Sequence, residues 1–152
     1  MKSAILTPLT LVLSVIFLPI VGCGNQPTNI GSPSDQISFS TDKPSYAESD
    51  TIKLFIYNNS RSEITVGLRC GFYLEMFYQR RDNHDWGDTL WLPYMSLRCL
   101  TLLDTVAMNT TFAHSLPAEV FYSTGRFRLV VNVHDPKTGT SLSAVSNPFE
   151  IR

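Results

Sequence analysis

Three cysteines, three histidines and one carboxylate-rich loop are the residues of this 152-residue chain with chemistry to offer. Cys23, Cys70 and Cys99 could serve as acyl acceptors, disulfide partners or metal ligands, and no two of them form the CxxC spacing that redox dithiols and zinc ribbons use. His84 stands in "RRDNHDWGD" with carboxylates at 82, 85 and 88. That loop lacks the alternating oxygen ligands and distal Glu of a calcium loop, so it reads as exposed, solvated charge. His134-Asp135-Pro136 reads as a turn in which Asp135 bonds its own backbone, and His114 as a half-buried or exposed strand residue. No GxSxG, HExxH or phosphate-cradling Gly loop occurs. No catalytic residue, metal site or cofactor is therefore assigned, and an enzyme is the least supported reading.

Cys23 lies where the chain changes character. Met1-Lys2 precedes an apolar run from Ala4 to Val21, broken by Thr7, Thr10, Ser14, Pro8 and Pro19. The run is borderline for a spanning helix, which needs about 20 apolar residues, and its prolines oppose a regular one. "GNQPTNIGSPSDQ" follows in place of a Lys/Arg stop-transfer flank, favouring a cleaved targeting segment over an uncleaved anchor.

Ile20-Val21-Gly22-Cys23 resembles the lipobox of bacterial lipoproteins, with Ile in place of the more usual Leu and only one Lys ahead of it. The resemblance implies that a diacylglyceryl thioether forms on Cys23 and that a signal peptidase cuts after Gly22. It implies a protein lipid-anchored to the cell envelope, its first partner being the membrane. Gly24 is not the Asp that retains many lipoproteins in the inner membrane, so a Gram-negative cell would place it in the outer one. Residues 1–22 are then a signal peptide and residues 23–36 a tether. The tether is too polar to bury apolar surface against its chain entropy, and its root-mean-square reach is on the order of 20 Å.

From Ile37 to Arg152 the periodicity is that of strands. "TIKLFIYN" alternates with Ile52, Leu54 and Ile56 on one face; "GRFRLVVNVHD" does so with Phe127, Leu129, Val131 and Val133. "ISFS", "ITVGL", "TTFAHSL" and "SLSAVSNPFEI" add further strands. "CGFYLEMFYQ" reads as one with Cys70, Phe72, Leu74 and Met76 in phase, and "LRCLTLL" as one with Leu97, Cys99, Thr101 and Leu103 in phase. "TLWLPYM" is ambiguous, because Pro93 interrupts it. About eight strands with turn signals every 8–15 residues predict an all-β antiparallel sandwich. "TDKPSYAESDTIKLFIYN" and "STGRFRLVVNV…SNPFEI" resemble the corner and late strand of bacterial immunoglobulin-like modules. The resemblance implies that fold over residues 37–152, without the Cys–Trp–Cys pin of antibody domains.

If Cys23 is acylated, Cys70 and Cys99 remain to pair in an oxidising compartment. Closing about 30 residues would stabilise the fold by about 3.6 kcal/mol in the chain-entropy model. Their shared phase with apolar neighbours puts the bridge in the core or at its margin. Separated as they are, the two make a poor metal or redox site.

A net charge of −1 with scattered Lys and Arg gives no footprint for nucleic acid. Phe55, Tyr57, Tyr73 and Phe77 fall on faces opposite the core. Arg80, Arg81, Trp86, Trp91 and Tyr94 cluster inside the segment a Cys70–Cys99 bridge would close, in residue types that dominate interface hot spots. They form either a braced binding surface or a cap on the open end of the sandwich. The expectation is a non-catalytic envelope module that binds a protein or a glycan. The alternative is a proteinase inhibitor, since the plan resembles bacterial immunoglobulin-like inhibitors. "NNS" and "NTT" match glycosylation sequons and are taken as chance in such a protein.

Overall fold

The computed structural model describes residues 36–152. The expected signal peptide at 1–22, the expected lipidation site Cys23 and the expected tether as far as residue 35 lie outside the described residues.

The chain runs through β1 (Ile37–Thr41), β2 (Ser45–Tyr46), β3 (Thr51–Asn58), β4 (Ile64–Arg69), β5 (Tyr73–Leu74), β6 (Met76–Asp82), β7 (Asp85–Trp86) and β8 (Leu90–Trp91). After a 3-10 turn at Pro93–Ser96 come β9 (Thr101–Val106) and β10 (Thr111–Pro117). A second 3-10 turn, Ala118–Phe121, leads to β11 (Gly125–Asp135), β12 (Thr140–Val145) and β13 (Phe149–Ile151). One sheet has the order β1-β3-β10; the other centres on β11, flanked by β12 and β13 on one side and by β4 and β6 on the other.

The two alternating strands read from the sequence form the core. Ile52, Leu54 and Ile56 of β3 are fully buried, as are Phe127, Leu129 and Val131 of β11 in the opposite sheet, with Val133 nearly so. Aromatic rings close one end: Phe121 packs on Phe127 and Phe149, and Tyr46 meets Phe149 edge-on. Such pairs contribute about 0.5–1.5 kcal/mol each beyond their burial.

The first edge of the chain changes sheets at the Pro44 corner. β1 pairs antiparallel with β3, whereas β2 pairs parallel with β13, Tyr46 opposite Ile151. Asp42 locks the corner by accepting from the Tyr46 hydroxyl at 2.6 Å and from the Lys53 amide at 2.9 Å. Burial, then the hydrogen bond to Asp42, pushes the Tyr46 hydroxyl up to about 12. With β10 beside β3 and β11 beside both β13 and the β4–β6 line, the connectivity is that of an immunoglobulin-like antiparallel sandwich.

The segments join into eight lines, because several strands are interrupted. β4 and β6 lie end to end along β11, with Val66 opposite Val133 and Met76 opposite Val131. β7, β8 and β9 run back beside β6 and β4, and β12 and β13 share the other flank of β11.

Four sequence expectations are corrected here. "CGFYLEMFYQ" is no single strand: Cys70 and Gly71 turn the chain with φ of 56° and 77°, and Phe72 is 74% exposed. "LRCLTLL" becomes strand only at Thr101, and Leu103 is 70% exposed because it pairs with Gly67, on the sheet face opposite to that of buried Val66 and Val106. "RRDNHDWGD" is a hairpin, β6 continuing to Asp82 and Asn83 turning it at φ 57°. "SLSAVSNPFEI" is two strands, since Ser146 leaves the ladder to bond the Leu129 amide through its hydroxyl at 2.9 Å.

Candidate functional site

Between Val66 and Met76 the β4–β6 line leaves β11, folds outward through β5 and returns, pinned where the Glu75 amide donates to the Gly67 carbonyl at 2.8 Å. The neighbouring line breaks at the same level, between Trp91 and Thr101. The Cys70–Cys99 disulfide joins the two excursions, with both cysteines half-buried. Arg69 reinforces the join: its Nε and Nη2 donate to the Leu97 carbonyl at 3.1 and 2.7 Å. Thr101 accepts from Arg69 and donates to the Glu75 carboxylate, completing a polar clasp. Phe72, Leu97 and Leu100 stand exposed around the bridge, which therefore lies at the margin of the core.

The second excursion also seals the sandwich. Leu92 is buried, and Tyr94 is 8% exposed, its hydroxyl donating to the Leu74 carbonyl at 2.8 Å and its ring stacking on Tyr73 at 5.0 Å. Burial, with the Glu75 carboxylate second, pushes that hydroxyl far up. Tyr94, expected on the binding surface, is thus a cap residue: the 3-10 turn that Pro93 starts rotates it inward.

Four of the five candidates remain near the surface, in two orientations. Phe77, Gln79 and Arg81 project from the outward side of β6, because the intervening Met76 and Tyr78 face the core. Pairing sets Trp91 opposite Phe77 and Trp86 opposite Arg81. Trp91 is 63% exposed, meets Phe77 edge-on at 4.6 Å, and borders a cleft of about 400 Å³ with Leu92, Pro93, Met95 and Ser96. Trp86 is covered on the sheet side: the Arg128 guanidinium lies 4.4 Å from its ring centroid and that of Arg81 lies 6.0 Å away. Arg80 belongs to the other phase of β6, opposite Phe127 and 3.8 Å from Asp82, so it stands apart from the other three.

The residues grouped on this outward face are therefore Phe77, Gln79, Arg81, Trp86, Trp91 and Arg128. Arg128 and Gln79 went unrecognised in the sequence, though the alternation of "GRFRLVVNV" does put Arg128 opposite the core. What was illegible is the register that sets it against Gln79, whose Oε1 accepts from Arg128 Nε at 2.7 Å.

The histidines lie elsewhere. His84 is exposed in the β6–β7 turn, and His134 lies 3.5 Å from the Ser141 hydroxyl. Asp135 does bond its own turn, accepting from the Lys137 amide at 2.8 Å. His114 is half-buried on β10, where its Nε2 accepts from the Leu74 amide at 3.4 Å, and burial holds its pKa below the usual histidine range.

No family model matches the chain, and no curated protein matches it. Among solved structures it is similar to the X-ray structure of a Northeast Structural Genomics Consortium target, at 12% identity, 75% of this chain, 81% of that one and a TM-score of 0.40. It is also similar to a bacterial immunoglobulin-like domain of the M. primoryensis ice-binding adhesin, at 10% identity, 75% of this chain, 94% of that one and a TM-score of 0.34.

Proposed function

We propose that this chain is a non-catalytic, lipid-anchored protein of the cell envelope, outer-membrane in a Gram-negative cell, whose sandwich docks a partner through the outward face of β6, β8 and β11. The lipobox at Ile20–Cys23 supports the anchor. The observation that carries the docking role is Trp91: a large ring, mostly exposed, held on a sheet between Phe77 and an apolar cleft. A rigid exposed aromatic loses little conformational entropy when a partner covers it. Labelled palmitate should enter the wild-type protein and not Cys23→Ala; a wild-type protein that takes up no label sinks the anchor. Trp91→Ala should retain the wild-type melting temperature and lose partner capture from solubilised envelope. Full capture by a folded Trp91→Ala protein would overturn the docking surface.

A second reading, proteinase inhibition, has one specific feature in its favour. The exposed Leu97-Arg98 pair precedes the bridged Cys99, and the Leu97 carbonyl is held by two Arg69 hydrogen bonds. A braced, extended loop bearing an exposed Arg fits a protease specific for basic residues. Absence of inhibition across a panel of such proteases would discard it.

A further inference from the structure

We infer that Arg81 and Arg128, gathered about Trp86, form an anion subsite that takes a carboxylate of an extended acidic protein segment. The inference rests on the docking role proposed above and supplies the partner's chemistry.

Two guanidinium groups share one indole ring, and no ion pair with a carboxylate is formed by either among the described residues. Arg81 Nε is buried and bonds nothing. Arg128 commits its Nε to Gln79, and its two terminal nitrogens have no partner among the described residues. The β6–β11 ladder ends at Arg80 opposite Phe127, and the next β11 residue, Arg126, pairs with Glu150 of β13. Glu150, the neighbour of Arg126 across the other ladder, is bridged to Arg152 at 3.0 Å. Two positive charges meet at the Trp86 ring with no carboxylate bridged to either, and a buried donor without an acceptor costs its desolvation. An incoming carboxylate offsets the paired positive charge, and the two terminal nitrogens of Arg128 offer it two-point geometry.

The surroundings favour a polypeptide over a sugar. A pyranose stacks on a bare ring face, whereas the Trp86 ring beside the two arginines already carries the Arg128 guanidinium. β7 and β8, two residues each, pair with β6 alone and leave a short open sheet edge for an extended chain. From Phe77 to Arg81 is about 13 Å along β6, four residues of strand. A partner with an apolar residue and a carboxylate four positions apart spans the Trp91 cleft and the arginines together.

The test titrates poly-L-glutamate into the full chain in non-ionic detergent and follows Trp86 emission in a Trp91→Phe background. Saturable binding is expected, weakening at least tenfold as salt rises from about 20 to about 200 mM. Arg81→Gln and Arg128→Gln should each weaken it roughly tenfold at an unchanged melting temperature. Three results overturn the inference: no binding at low salt, equal binding by both folded variants, or tighter binding of polygalacturonate than of polyglutamate. If polyglutamate fails while Trp91→Ala still abolishes envelope capture, the anion subsite falls and the docking surface stands.

Discussion

Cys70 and Cys99 are 29 residues apart in sequence and 5.2 Å apart at their Cα atoms, and they fasten two strand lines where both break at the same level of one sheet. The bridge therefore shortens the unfolded chain and also holds a local feature that the sheet ladder does not. Replacing both cysteines by serine is expected to lower the unfolding free energy by up to about 3.6 kcal/mol, read from urea midpoints against the oxidised protein. Hydrogen exchange should rise first at Leu74 and at Thr101 to Leu103, and last at the centre of β3. Uniform loosening would mean that the bridge acts only on the unfolded state.

The same break explains what the sequence concealed. Between Val66 and Met76 the chain advances ten residues while its partner β11 advances two, from Val133 to Val131. The eight additional residues are an even number, so Leu74 and Met76 stay in phase with Val66 and the period-2 pattern runs unbroken through the excursion. Where a strand is continuous, as in β3 and β11, alternation alone located the core. Trp86 and Trp91 were legible as surface candidates by type and place. Tyr94 was not separable from them, because a 3-10 turn rather than a strand sets its direction. Arg128 needed the register of β6 on β11, which is a tertiary fact.

Asn58 is expected to be among the least replaceable residues. It is 0% exposed, and its Nδ2 donates to the carbonyls of Ser62 and Val106, each at 2.9 Å. Its Oδ1 accepts from the Ser60 amide at 3.0 Å and from the Ser60 hydroxyl at 2.6 Å. One side chain thus ties the β3–β4 turn to the end of β9. Asn58→Leu strands those groups without partners and should cost about 3 kcal/mol, at about 1–3 kcal/mol for each buried group left unsatisfied. A loss below about 1 kcal/mol in urea denaturation would show that water replaces the amide. The same burial makes the sequon at Asn58 unusable in the folded chain, whereas Asn109 of the second sequon is exposed.

Tyr94 separates capping from binding. Tyr94→Phe keeps the ring that stacks on Tyr73 and removes the hydroxyl that satisfies the Leu74 carbonyl. Stability should fall by about 1–2 kcal/mol, because a buried acceptor is left unpaired. Capture of an envelope partner should be unchanged, in contrast to Trp91→Ala. Loss of capture in a stable Tyr94→Phe protein would return this residue to the interface.

His114 supplies an acid-sensitive element on the β10 side. Its Nε2 accepts from the Leu74 amide, so the folded chain holds the ring neutral with its proton on Nδ1. Burial lowers its pKa below 6.5, the value the unfolded chain keeps. As pH falls through 6.5 the unfolded state takes up a proton that the folded state still refuses, so stability drops with pH. Above 6.5 both states are neutral and the contribution is constant; below the folded pKa both are charged and the loss levels off. Protonation would also aim an Nε2–H at the Leu74 amide, donor against donor, next to the excursion that carries Tyr94. His114→Gln retains an acceptor and removes the titration, so its urea midpoint should vary less than that of the wild type between pH 6.5 and pH 5. Equal slopes for the two proteins over that range would show that His114 is not the group that titrates.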